Sequence, residues 1–154
     1  MPHFVRYELT GYSYHVTSVT SERRPLLSAP ASAQLVLDAL QHIRRARCLM
    51  LAYVVMPDHF HALLVPFEDN SLSKLMQTVK GYTARMINGE TRGTSVWQQS
   101  FHDRVIRNDR QLEETIRYIH DNPVVAGLCV RPEDFPFSSA YPGSSTDLIS
   151  FTAG

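Results

Sequence analysis

The spacing of apolar residues changes several times along this chain, and each change marks a predicted element. Tyr12 to Thr20 alternate and are rich in β-branched and aromatic types, the pattern of a half-buried strand. Pro30 then opens a helical stretch in which Leu35, Leu37, Leu40 and Ile43 recur, running to Arg47. Proline suits a first turn, where its missing N–H would have no intrahelical acceptor. Leu49 to Met56 is an apolar run of strand length and His59 to Val65 is a second, so a hairpin turning at Pro57-Asp58 is predicted between them. Asn70 or Ser71 caps a second helix with apolar positions Leu72, Leu75, Met76, Val79, Ala84 and Met86. It stops at Asn88-Gly89, and Gly93 falls in the following loop. A short strand, Phe101 to Ile106, precedes Asn108 and Gln111, which have the spacing of a capping box. The last helix they open runs to Asn122 and is ended by Pro123.

The order β-α-β-β-α-β is that of an α+β, ferredoxin-like sandwich with a central antiparallel sheet, here with one more helix added at its C-terminal end. A chain of 154 residues, 44% of them hydrophobic, can bury one good core. One domain, residues 1–141, is therefore expected, with residues 142–154 a frayed tail beginning at Pro142.

Composition narrows the function only a little. Fifteen basic side chains balance fifteen acidic ones, so no overall positive field points to nucleic acid. Local clusters remain possible contacts, because phosphates are neutralised by the cations they touch. Arg23-Arg24, Arg44-Arg45-Arg47 and Arg104 with Arg107 are such clusters. Cys48 and Cys129 have no neighbouring cysteine, which suggests neither a disulfide framework nor a thiolate zinc site. No apolar run has the roughly 18 residues of a membrane span, and Met1 to Arg6 lacks the pattern of a signal peptide. A cytoplasmic protein without a membrane partner is expected.

The chemistry concentrates in two places. In a strand alternate side chains share a face, so His59 and His61 converge while Phe60 points into the core. Two imidazoles placed in this way either share one cation or simply occupy a polar sheet face. On the last helix Tyr118 and Asn122 lie one turn apart, opposite a core stripe of Leu112, Ile116 and Ile119. Tyr118 is thus expected to be exposed beside a carboxamide. The tyrosines at 12, 14 and 53 fall in strands and Tyr82 among packing residues, so none competes for that setting.

Four ordered blocks carry a resemblance over Gly11 to Tyr141. They are Tyr14-His15-Val16-Thr17; Val55-Met56-Pro57-Asp58-His59-Phe60-His61; Val96-Trp97-Gln98-Gln99-Ser100-Phe101-His102-Asp103-Arg104-Val105-Ile106-Arg107; and Tyr118-Ile119-His120-Asp121-Asn122-Pro123-Val124. The ending Phe135-Pro136-Phe137-Ser138-Ser139 belongs with them. Together they resemble the REP-associated tyrosine transposases of the HUH superfamily of single-strand nucleases.

The resemblance implies that His59 and His61 bind a divalent metal, that Asn122 is the third ligand where related transposases have glutamine, and that Tyr118 attacks DNA. The substrate it implies is single-stranded DNA near palindromic hairpins, cut and transferred through a covalent phosphotyrosine without a nucleotide cofactor. Such chemistry is consistent with the residue types. A phenol, with an ordinary pKa of about 10, is a poor nucleophile at neutral pH unless a nearby cation favours its anion. Mg²⁺ keeps several waters and takes few protein ligands, and Mn²⁺ suits imidazole at least as well. Candidate DNA contacts are Arg23, Arg24, Trp97, His102, Arg104 and Arg107. Trp97 serves equally as a core anchor, His102 departs from the aromatic residue common at its position in the family it resembles, and Glu114, one turn before Tyr118 on the same face, is placed to orient it or a metal-bound water. His120, two residues past Tyr118, points away from it on a helix. A single working chain is favoured over a homodimer that exchanges its tyrosine helices. Two rival readings are a catalytically silent hairpin-binding regulator and a zinc-type hydrolase using the histidine pair alone.

Overall fold

In the computed structural model, which describes residues 12–88, 95–148 and 151, the strands and helices follow the expected order. β1 is Ser13–Val19, α1 Pro30–Ile43, β2 Cys48–Met56, β3 His59–Pro66, α2 Leu72–Asn88, β4 His102–Ile106 and α3 Asp109–Val125. The Gly89 stop and the Gly93 loop lie outside the described residues. No helix among the described residues is long and apolar enough to cross a membrane.

The strands form one antiparallel sheet in the order β2-β3-β1-β4, the ferredoxin-like arrangement. Met56 pairs with His59, so β2 and β3 turn at Pro57-Asp58 as expected. The sheet separates two cores. On one side Val16, Phe60, Ala62 and Leu64 meet α1 and α2 through Val36, Leu40, Leu75, Met76 and Val79. On the other, Val54, Leu63 and Val65 meet α3 through Leu112 and Ile119. The added helix therefore crosses the face opposite α1 and α2. This double burial explains why β2 reads as an unbroken apolar run, since every one of its residues is buried.

Three sequence expectations need correction. α1 ends at Ile43, short of Arg47, because Arg44 leaves helical geometry and Arg45 takes φ 67°. Its buried face is Ala33, Val36, Ala39, Leu40 and Ile43, a stripe rotated from the leucines at 35 and 37. Pro123 does not end α3. The ring forgoes only its own N–H bond, is itself buried, and the helix runs on to Val125, where Gly127 at φ 76° closes it. Asn122 is thus held inside the helix on the face of Tyr118.

The stretch from Pro142, expected to fray, is docked as far as Leu148. Asp147 is 1% exposed and accepts from Arg45 Nε at 2.7 Å, from the backbone N of Met50 at 3.0 Å, and pairs with Arg44 at 3.0 Å. This carboxylate occupies Arg44 and Arg45, and Arg47 donates to Thr78 Oγ1, so that cluster is structural. Phe137 and Ser139 pair with the outer edge of β2 through Val55 N and Tyr53 O, covering an otherwise open strand.

Candidate active site

One sheet face and one helix face build the site. Because β1 and β3 are antiparallel with Thr17 opposite His61, the residues His15, Thr17, His59 and His61 share the face under α3. β4 adds His102 opposite Thr17 and Arg104 opposite His15. α3 crosses above, opened by Asn108, whose side chain accepts from Gln111 N. It buries Leu112, Thr115, Ile119 and Pro123, which turns Tyr118, 56% exposed, and Asn122 toward the sheet histidines across an open cleft. The Tyr118 ring stands edge-on to His61 and His15, with ring centroids 5.4 and 5.9 Å apart. Asn122 Nδ2 lies 3.4 Å from His61 Nε2. The cleft has a volume of about 960 Å³.

Each histidine is held through Nδ1. His59 Nδ1 meets Asp58 Oδ1 at 2.7 Å, and Arg23 meets the other carboxylate oxygen at 3.3 Å. Burial raises the Asp58 carboxyl, but the His59 hydrogen bond and the Arg23 charge outweigh it and bring its pKa below the usual carboxylate value. Asp58 is therefore an acceptor, so His59 donates its Nδ1–H to it and turns Nε2 away from that carboxylate. His61 Nδ1 has two neighbours at 2.9 Å, Thr17 Oγ1 and His15 Nε2. Burial, followed by the charges of His59 and His15, pushes the His61 pKa down to about 3. Burial and Arg104 push that of His15 to about 4, so both rings are neutral at pH 7.

The turn holding Asp58 against Arg23 is itself constrained. Glu22 and Arg23 both occupy the left-handed region, at φ 56° and 52°. Such backbone costs about 1–3 kcal/mol per residue and persists only when the surroundings fix it. Here Thr20 does so, its N donating to Asp58 O and its Oγ1 to Arg24 O at 2.7 Å, while Arg23 N donates to Thr20 O.

The donor set fits a hard divalent cation. Among the described residues no group of three or more His, Cys, Asp or Glu side chains is arranged to hold a metal. What converges instead is two imidazoles and one carboxamide. Those three protein donors suit Mg²⁺ or Mn²⁺, which retain water, better than a closed structural zinc site. An acidic residue behind a histidine ligand is the usual support for such a site.

The expected DNA contacts separate. Arg23, His102 and Arg104 line the cleft, and Arg104 Nη2 also donates to Thr115 Oγ1 of α3 at 3.2 Å. Arg24 is spent on backbone carbonyls, those of Ser21 and Ser95. Arg107 sits away from the cleft lining, its guanidinium 5.7 Å from the Tyr12 ring centroid. Trp97 is corrected to a core residue, 5% exposed, edge-on to Phe60 and donating Nε1–H to Thr83 Oγ1 at 2.9 Å. Glu114 lies on the cleft wall and pairs with Arg110, while His120 turns away to Ser139 Oγ at 2.8 Å. Sequence reasoning missed Arg117, a cation in the cleft lining, and the roles of Asp58, His15 and Thr17. The alternation of Tyr14-His15-Val16-Thr17 put His15 and Thr17 on one face, but only the register of β1 on β3 brings that face to His61.

Known proteins share this sequence pattern and fold. A REP-associated tyrosine transposase of Escherichia coli (strain K12) is 27% identical over 90% of this chain and 82% of its own. A solved REP-associated tyrosine transposase bound to a REP hairpin superposes with a TM-score of 0.72 at 27% identity, covering 97% of this chain and 94% of that one. A solved Deinococcus radiodurans protein shares the fold, with a TM-score of 0.52 at 22% identity over 71% of this chain and 88% of its own. The model of the family described as transposase IS200-like matches residues 8–122. The chain therefore belongs to the IS200-like transposase family and is an enzyme of the tyrosine transposase type.

Proposed function

We propose that this chain cleaves and transfers single-stranded DNA beside a hairpin, with Tyr118 as nucleophile and a Mg²⁺ or Mn²⁺ ion held by His59, His61 and Asn122. The observation that carries this reading is the meeting, in one open cleft, of an exposed tyrosine with two imidazoles whose Nε2 atoms are free of their Nδ1 partners. The hairpin is argued from the solved relative, which was bound to one.

The residues of the chain divide the work. The Tyr118 oxygen bonds to phosphorus as the P–O3′ bond breaks. The phenol proton passes to solvent in the open cleft, and the departing oxygen takes up a proton to leave as a 3′-hydroxyl. One ester has replaced another, so the 3′-hydroxyl of a second strand can reverse the step without ATP. When bound, the cation polarises a phosphoryl oxygen and stabilises the charge of the transition state. Arg23, Arg104 and Arg117 neutralise the phosphates of the incoming strand, and His102 borders the same path. One chain supplies every one of these groups, which favours a monomer.

The test is incubation of the purified protein with Mn²⁺ and a labelled hairpin carrying a single-stranded extension. A denaturation-resistant adduct is expected for the wild type and none for Tyr118→Phe, with hairpin binding retained. An adduct that survives Tyr118→Phe removes this nucleophile. No adduct from the wild type favours the silent hairpin-binding regulator.

A further inference from the structure

The His61 ring is the hub of the cleft, and its Nδ1 is approached from β1 by two groups at once. Thr17 Oγ1 and His15 Nε2 both stand at 2.9 Å from it, although only one proton can reside there. A proton on Nδ1 is shared between two acceptors, a hydroxyl and an imidazole lone pair. A proton on Nε2 would oblige both neighbours to donate into one lone pair. It would also set an N–H against the Asn122 amide nitrogen, itself a donor, and close the atom that faces the cleft. The neighbours also restrain the ring mechanically. Thr17 lies directly across from His61, and His15 sits two residues along on the same face with its ring centroid 4.9 Å away. The imidazole is thus clamped from one side with its opposite nitrogen presented to α3.

We propose that His15, together with Thr17, is a positioning residue of the reaction: the pair keeps the His61 proton on Nδ1 and aims Nε2 into the cleft as a metal-ligating atom. His59 reaches the same state through Asp58, so the two imidazoles are prepared by different devices, a carboxylate on one and a histidine–threonine pair on the other. The assignment rests on the metal reading above for its consequence, but not for its geometry.

Two measurements test it. Long-range ¹H–¹⁵N correlation spectra of the metal-free protein report the tautomer of His61 directly, and Nδ1–H is expected in the wild type. His15→Phe and Thr17→Val should each shift the population toward Nε2–H, and the double variant further. Mn²⁺ titration of the same proteins should show affinity reduced by about 10–100-fold, the range found when the outer partner of a ligating histidine is lost. His15→Gln, which returns a polar atom near the position of Nε2, should recover most of it. Hairpin binding in chelator should not change, which separates positioning of a ligand from general damage. A wild-type His61 protonated on Nε2 overturns the proposal without any variant. So does a folded double variant that keeps both tautomer and Mn²⁺ affinity. If the tautomer shifts as expected but wild-type Mn²⁺ affinity does not depend on His59 and His61, the positioning stands and the metal reading falls.

Discussion

Asn122 Nδ2 lies 3.4 Å from His61 Nε2 across 61 positions of chain, joining the tyrosine helix to the central strand at the atom a cation would need. Asn122→Ala should therefore lower Mn²⁺ affinity by at least the roughly 10–100-fold that loss of an outer partner causes. Hairpin affinity in chelator should stay at the wild-type value. Cleavage titrated against metal concentration checks this, and a curve superposable on that of the wild type removes Asn122 from the ligand set.

Asp58 holds His59 through Nδ1, so Asp58→Asn keeps the size of the side chain but allows its amide to donate instead of accept. A loss of about 10–100-fold in metal affinity or rate is expected. The turn should survive, because Thr20 N holds the backbone O of residue 58 and not its side chain. An unchanged melting temperature with lowered Mn²⁺ affinity is the expected pattern.

Trp97 is buried in the core, so its removal is expected to act on stability and not on DNA binding. Trp97→Ala should cost about 3–5 kcal/mol by urea unfolding, the usual range for emptying a buried tryptophan site. Trp97→Phe should cost less, losing the Nε1–H donated to Thr83 Oγ1 while that hydroxyl keeps its own bond to Val79 O. Hairpin affinity of the folded Phe variant should equal that of the wild type; a marked drop would restore the stacking role.

Arg104 faces the cleft and Arg107 does not, so their removal should differ. Arg104→Ala is expected to weaken hairpin binding and flatten the plot of log K against log salt by about 0.7, the contribution of one phosphate contact on a single strand. Arg107→Ala should leave that slope unchanged. Equal slopes for the two variants would mean that the strand takes another path.

Asp147 clasps the C-terminal segment to β2. Asp147→Ala leaves Met50 N–H without its side-chain acceptor and Arg44 without its carboxylate. Uncompensated buried charge costs about 3–5 kcal/mol, and the exposure of Arg45, 64% at its side chain, places this site near the low end. Truncation after Tyr141 should destabilise by a similar amount. A truncated chain as stable as the full one would show that the segment is passive.

The sequence alone determined the order of elements, the hairpin at Pro57-Asp58, the inward Phe60 and the outward Tyr118. All of these follow from local periodicity, which is written into neighbouring residues. It also marked His59, His61, Tyr118 and Asn122 as groups worth joining, through spacing within one strand or one helix and through the resemblance of the ordered blocks. What only the tertiary structure decided is what lies between elements. The register of β1 on β3 brings His15 and Thr17 to His61. The second face of the sheet receives α3, and the burial of Trp97 and Asp147 assigns both to the fold. These depend on which surfaces meet after folding, and two strands 40 residues apart carry no local mark of their partner. Arg24 and Arg107 read like Arg23 and Arg104 in sequence because charge alone does not say which way a side chain turns. A carbonyl cluster holds the first of them and an aromatic ring the second.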